Sequence, residues 1–157
     1  MKKINCKGLN ITIPHKEKVF ELCSEISPIA NKLKAINTLR LNSENEWSAT
    51  NTDVDGFMYP LKTLNLTKKQ SIVLGSGGAA RSVIQGLINL NFSTISVVSR
   101  NKSSLDELIK NFANQIKIQG LLHNDNRAQD FIKEADLIVN TTPVGMKIGI
   151  NETNELP

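Results

Sequence analysis

A chain of 157 residues, 39% of them hydrophobic, suits one domain or one domain and part of another. Its net charge of +4 is scattered rather than gathered on one helix face, and aromatic residues make up only 4% of the chain, so it lacks both the basic stripe and the stacking platform that nucleic acid requires. No apolar run is long enough to cross a bilayer, and Asn5, Lys7, Asn10, Pro14 and His15 interrupt any signal-peptide core after Lys2 and Lys3. These features imply a cytoplasmic protein with no nucleic-acid or membrane partner. Cys6 and Cys23 are isolated and no Cys or His cluster has zinc-ligand spacing, which implies reduced thiols and no metal.

Between Gly8 and Ile13, apolar Leu9, Ile11 and Ile13 alternate with polar Asn10 and Thr12 and predict a strand that stops at Pro14. A short helix follows from His15 to Cys23. Ser27 as cap and Pro28 in the first turn predict a second helix, Pro28 to Lys34. Two strands, Ala35 to Leu41 and Trp47 to Asn51, flank the polar turn Asn42 to Glu46 and predict a hairpin. Thr52 to Asn65 predicts a helix that Pro60 must kink or end early.

After the polar connection Leu66 to Gln70, the pattern becomes regular. Strands are predicted at 71–75, 94–99, 116–121 and 136–140, with helices at 78–90, 103–114 and 126–134 between them. Strands alternating with helices define an α/β class, a doubly wound parallel sheet with right-handed crossovers. Four parallel strands are read where such a sheet commonly has about six. The composition divides the chain into units 1–66 and 67–157.

The segment Ser71-Ile-Val-Leu-Gly-Ser-Gly-Gly-Ala-Ala-Arg81 is the strongest chemical signal. A strand runs into a glycine turn and then into a helix, the pattern of a dinucleotide phosphate site. Gly75 permits the tight exit from the strand, Gly77 lets backbone approach a pyrophosphate, and Ala80 is small enough for close helix-sheet packing. Ser76, Gly78 and Ala79 complete the turn, and the helix N-terminus offers free N–H groups to the phosphates. About 20 residues further on, where an NAD site carries an acid for the ribose hydroxyl, the chain has Ser99, Arg100, Asn101 and Lys102. A guanidinium can clamp a 2′-phosphate through two hydrogen bonds, so these residues favour NADP. The alternative is that Arg100 and Lys102 are solvated charges after a strand.

Lys16 lies just past the first predicted strand and Asp53 just past another. Strand ends hold side chains rigidly while facing a cleft, so the two could meet; spacing alone leaves open a surface lysine and a helix-capping aspartate.

Asn10-Ile-Thr-Ile-Pro-His-Lys16, Ala35-Ile-Asn-Thr-Leu39, Asn51-Thr-Asp53 with Gly56, Leu74-Gly-Ser-Gly-Gly-Ala-Ala-Arg81 and Asn140-Thr-Thr-Pro-Val-Gly-Met146 resemble successive motifs of the shikimate dehydrogenase family, in the family's order and spacing. The resemblance implies a mixed-sheet substrate domain over 1–66 followed by a Rossmann-type NADP-binding domain over 67–157. It implies reversible NADPH-dependent reduction of 3-dehydroshikimate to shikimate, on the route to chorismate and the aromatic amino acids. Lys16 and Asp53 become the catalytic pair, which also touches substrate, and Thr12 and Asn37 bind substrate hydroxyls. Gly75 to Ala80 hold the pyrophosphate, Ser99, Arg100 and Asn101 the adenosine end, and Thr141, Thr142 and Met146 the nicotinamide side. The small-molecule substrate is the implied partner, with a homodimer possible in the complete protein.

Family members begin with a serine-containing strand that grips the substrate carboxylate and end with a Tyr and a Gln-containing helix. Neither is found here, so the sequence reads as a member truncated at both termini. Three alternatives stay open on the residues: a quinate/shikimate variant, a non-catalytic NADP-binding remnant, and another enzyme that borrows the NADP domain, such as glutamyl-tRNA reductase. Lys16 and Asn51-Thr-Asp53 argue against the last.

Overall fold

The computed structural model describes residues 6–144. In the first half, β1 (Gly8–Asn10), β2 (Glu25–Ile26), β3 (Thr38–Leu41) and β4 (Trp47–Thr50) form a mixed sheet of order β1-β3-β4-β2. β3 lies antiparallel to both β1 and β4, with Leu39 opposite Leu9 and Ala49, while β2 runs parallel to β4. The hairpin turn is closed by Asn42, whose Oδ1 accepts the amides of Glu44 and Glu46 at 3.0 and 2.8 Å.

β1 is shorter than the alternation predicts. The Ile11 amide still donates to the Asn37 carbonyl at 2.6 Å, but the Thr12 carbonyl then accepts the His15 amide at 2.8 Å, and this turn carries Lys16 back toward β3. The helix predicted over 15–23 is reduced to a 3-10 turn at Lys18–Leu22 that buries Val19. β2 was not legible, because two residues are too few to show alternation.

α1 (Pro28–Leu33) starts where Ser27 and Pro28 place it: Ser27 Oγ accepts the Ala30 amide at 3.3 Å. α2 (Asp53–Met58) gives way to a 3-10 turn at Tyr59–Leu61. Pro60 has no N–H to offer the Gly56 carbonyl, so the α-helix ends well before Asn65.

The second half contains β5 (Gln70–Leu74), α3 (Gly78–Asn89), β6 (Thr94–Ser99), α4 (Lys102–Phe112), β7 (Ile118–Leu122), α5 (Ala128–Glu134) and β8 (Leu137–Asn140). Its sheet is wholly parallel, in the order β7-β6-β5-β8. The chain winds outward from β5 to β7 and then crosses back to the other flank of β5. Strand order therefore reverses between β5 and β8, and the carboxyl ends of those two strands frame a crevice. Asp136 pins the return: its carboxylate accepts the Gln70 amide at 2.8 Å and Lys69 Nζ at 2.9 Å. The Gln70 amide, with Lys69 second, holds the Asp136 carboxyl below the usual aspartate range.

One core runs through both halves. Val73, Ile84, Leu87, Ile95, Val97, Leu108 and Phe112 are fully buried in it together with Leu33 and Ala35, and Val54 joins them. Burying each such Leu, Ile or Phe contributes about 1.5–3 kcal/mol. α3 packs against β5, α1 and α2. A smaller cluster, Val19, Ala30, Ile36, Leu39 and Ala49, lies on the first sheet.

Candidate active site

Lys16 leaves the turn that ends β1 with its carbonyl bonded to the Ile36 amide at 2.7 Å. Its Nζ donates to Asp53 Oδ2 at 2.6 Å, and the side chains remain 16% and 33% exposed, so the pair is sheltered but open on one side. Asp53 opens α2, where the helix N-terminus favours a carboxylate. Its second oxygen accepts Asn37 Nδ2 at 2.7 Å. Asn37 is itself fixed, since its Oδ1 accepts from the Thr52 amide at 3.0 Å and Thr38 Oγ1 at 2.8 Å. The structure thus brings Lys16, Asn37 and Asp53 into one hydrogen-bonded chain.

Asn51 underlies this chain. It is 4% exposed; its Nδ2 donates to the Ala35 carbonyl at 3.0 Å, and its Oδ1 accepts the Asp53 amide at 2.9 Å and Ser82 Oγ at 3.2 Å. The sequence marks Asn51 as part of a motif but gives no sign that it faces inward.

Opposite stands the glycine turn. Gly75 has φ +108°, and a Cβ there would lie 2.7 Å from Thr141 Oγ1, so both conformation and space call for glycine. Gly77 caps α3 without a side chain, and a Cβ on it would meet nothing within 4 Å, leaving the first amides of α3 open to an anion. Gly78 serves a purpose the sequence did not reveal: a Cβ there would meet Lys16 Cβ at 3.2 Å, so its bareness lets the helix start against the lysine stem. Ala80 is fully buried.

Ser76 and Ser99 are both buried, and their hydroxyls bond to each other at 2.8 Å, tying the glycine turn to the end of β6. Asn101 caps α4, accepting the Ser104 amide at 3.0 Å. Arg100 is exposed between them and forms no ion pair among the described residues, whereas Lys102 is engaged with Asp106 at 2.9 Å. Thr141 Oγ1 donates to the Leu74 carbonyl at 2.7 Å, and Thr142 Oγ1 to Asn140 Oδ1 at 2.7 Å. Met146 lies outside the described residues.

A cleft of about 360 Å³ runs between the β1 turn and the glycine turn, lined by Thr12, Lys16, Glu17, Gly77, Gly78 and Thr141 among others; Asp53 and Arg100 are not in its lining. The start of α3, with its bare Gly77, stands on one side of the cleft and the Lys16 ammonium, paired to Asp53, on the other.

The fold and the cleft define a Rossmann-type dinucleotide-binding protein with a second, mixed-sheet half. The profile "Shikimate dehydrogenase substrate binding domain" matches residues 1–39, and "Shikimate / quinate 5-dehydrogenase" matches residues 60–154, more than half of the chain. The chain belongs to the shikimate/quinate dehydrogenase family. It is 86% identical over all 157 residues to a shikimate dehydrogenase (NADP(+)) of Prochlorococcus marinus strain MIT 9312, and spans 55% of that relative's length. Among solved structures, shikimate dehydrogenase from Aquifex aeolicus superposes with TM-score 0.79 at 31% identity, covering 96% of this chain and 54% of that one. Quinate dehydrogenase from Corynebacterium glutamicum in complex with NAD gives TM-score 0.79 at 28% identity, covering 96% and 54%. The chain thus spans about half the length of the relatives it matches.

Proposed function

We propose that the protein of which this chain forms the catalytic cleft is an NADP-dependent shikimate dehydrogenase, interconverting 3-dehydroshikimate and shikimate. The observation that carries the reading is the 2.6 Å Lys16–Asp53 pair, whose lysine lines one cleft with Gly77 and Gly78 of the glycine turn. We divide the chain at residues 66 and 67, with the acid-base pair in the first unit and the nucleotide turn in the second. On this reading it works in the cytoplasm, beside the pyridine nucleotide pool.

Bound nicotinamide supplies or accepts the hydride. The chain's own residues handle the proton and the geometry. As hydride reaches the carbonyl carbon, the π electrons move to oxygen, and Lys16 Nζ, as ammonium, gives that oxygen a proton. Asp53 stabilises the ammonium beforehand and orients it. In the oxidative direction neutral Lys16 takes the hydroxyl proton as the C–H bond gives up its electron pair as hydride and the C=O bond forms, and the resulting ammonium is held by the Asp53 carboxylate. Thr12 on the cleft rim and Asn37 beside Asp53 bind substrate hydroxyls, Asn37 by exchanging one of its present amide contacts.

Quinate oxidation is the second reading, favoured by the likeness to a quinate dehydrogenase. Both are tested in one protein, a chimera in which this chain replaces the matching segment of its 86%-identical relative. Expected are turnover of shikimate with NADP, and a kcat lowered by about 100-fold or more in Lys16→Ala and Asp53→Ala with NADPH binding nearly unchanged. Near-normal kcat with only a raised KM would assign these residues to binding instead, and a preference for quinate would move the reading to its alternative.

A further inference from the structure

Arg81 is the one charged residue on the buried face of α3, with its side chain 3% exposed. It reaches three partners: Nη1 donates to the Leu33 carbonyl at 3.4 Å, and Nη2 to Glu107 Oε1 at 2.9 Å and Glu17 Oε2 at 3.4 Å. Its Nε is buried without a partner among the described residues. A buried guanidinium is costly unless well paired, so a core helix facing α1 would be served more simply by an apolar residue.

The partners explain what the arginine does. Glu17 adjoins Lys16, and the next residue on α3, Ser82, donates to Asn51, which holds the Asp53 amide. Gly78, one turn earlier, packs against the Lys16 stem. A single stretch of α3 therefore touches both members of the Lys16–Asp53 pair at one remove, each through its own intermediary.

We propose that Arg81 and Ser82 are positioning residues: through Glu17 and Asn51 they set Lys16 and Asp53 at a fixed place relative to the nucleotide helix. A rigid helix that carries the phosphate-binding amides at its start then also locates the proton donor, so nicotinamide and ammonium approach the substrate from one common frame. Displacement of a reacting group by about 1 Å can cost on the order of 100-fold in rate, which makes such a shared frame worth a buried charge.

The inference rests on the dehydrogenase reading for its kinetic arm only. In the chimera, Glu17→Gln and Ser82→Ala should each lower kcat by about tenfold, with KM and the Kd for NADPH changed by less than about twofold. Glu107→Gln is the control. Its contact with Arg81 is the shorter of the two, so a purely structural arginine would feel its loss at least as much, yet kcat should be unchanged. Arg81→Met should lose at least as much kcat as Glu17→Gln, and Arg81→Lys should recover part of it. The two single losses should also combine less than multiplicatively in Glu17→Gln/Ser82→Ala, since both act on one pair.

A second measurement does not need turnover. Acetic anhydride labelling of Lys16, read by mass spectrometry against exposed Lys18, should rise about threefold in the Glu17 and Ser82 variants and stay level in the Glu107 variant, as expected when a held amine is released. Equal kcat for Glu17→Gln and Glu107→Gln, or unchanged Lys16 labelling in Glu17→Gln, overturns the proposal. An inactive unsubstituted chimera would sink the dehydrogenase reading, and the labelling would still decide this one.

Discussion

Removing the Asn51 amide tests whether the site is held from below. In Asn51→Ala the Ala35 carbonyl, the Asp53 amide and the Ser82 hydroxyl all lose their partner at a position 4% exposed. With a net worth of about 0.5–1.5 kcal/mol for each of the three neutral hydrogen bonds, the loss comes to about 1.5–4.5 kcal/mol. Ser82→Ala breaks only the 3.2 Å contact and should cost about 0.5–1.5 kcal/mol. Urea unfolding of the chimera reads both, as a lowered midpoint at unchanged m value. The same Asn51 substitution should lower kcat by on the order of tenfold, because Asp53 loses the acceptor that fixes its backbone. Equal stability losses for the two variants, or a loss under about 1 kcal/mol for Asn51→Ala, would refute the claim that this amide organises the pair.

Gly75→Ala should destabilise by about 1–3 kcal/mol and abolish NADPH binding, since φ +108° is strained for alanine and its methyl would press on Thr141; native-like melting with intact binding would contradict this. Arg100→Ala should erase most of an NADPH-over-NADH preference of about 10- to 150-fold, measured by fluorescence titration, and equal affinities before mutation would remove the role assigned to it. Asp136→Asn should lower the melting temperature near neutrality. Because the Gln70 amide and Lys69 depress the folded-state carboxyl, its contribution is present above its ordinary value of 3.8 and fades as pH falls below that value, so wild type and variant should converge in acid. A gap that persists in acid would show that the amide substitution acts through packing. Asp125, held to about 2 by the Arg127 side chain and then its amide, should show the same acid-side loss in NMR titration.

The second half was largely legible because its signals are local. The strand at 94–99 fell where β6 lies, and the Ser71–Arg81 turn announced both β5 and α3. Pro60 warned of a helix ending early, and the helix ended. What stayed hidden depends on contacts between distant residues. The early turn after β1 is made by backbone bonds at Thr12 and Asn37, and the need for glycine at position 78 comes from Lys16, far away in sequence. Arg81 had one available signal: a lone charge among Ala79, Ala80, Val83, Ile84 and Leu87 on an otherwise uncharged helix. Meeting of Lys16 and Asp53 could be suspected from the motifs but not measured, because no spacing rule connects two strand ends in different parts of a sheet.

The order β7-β6-β5-β8 fixes which parts of the cleft share a support. β6 is flanked by neighbours on both sides, whereas among the described residues β8 is joined to β5 alone, through a pairing that closes a long loop from Ser71 to Leu137. Ile138 in the middle of β8 is 49% exposed, while Val97 in the middle of β6 is fully buried. Just past β8, Thr141 is bonded back to β5 through both its amide and its hydroxyl, which donate to the Leu74 carbonyl at 2.9 and 2.7 Å. Thr141 and Thr142, one wall of the cleft, are carried on the end of β8. That wall, bonded to Leu74, and the glycine turn, which leaves the same strand at Gly75, therefore share one central support in β5.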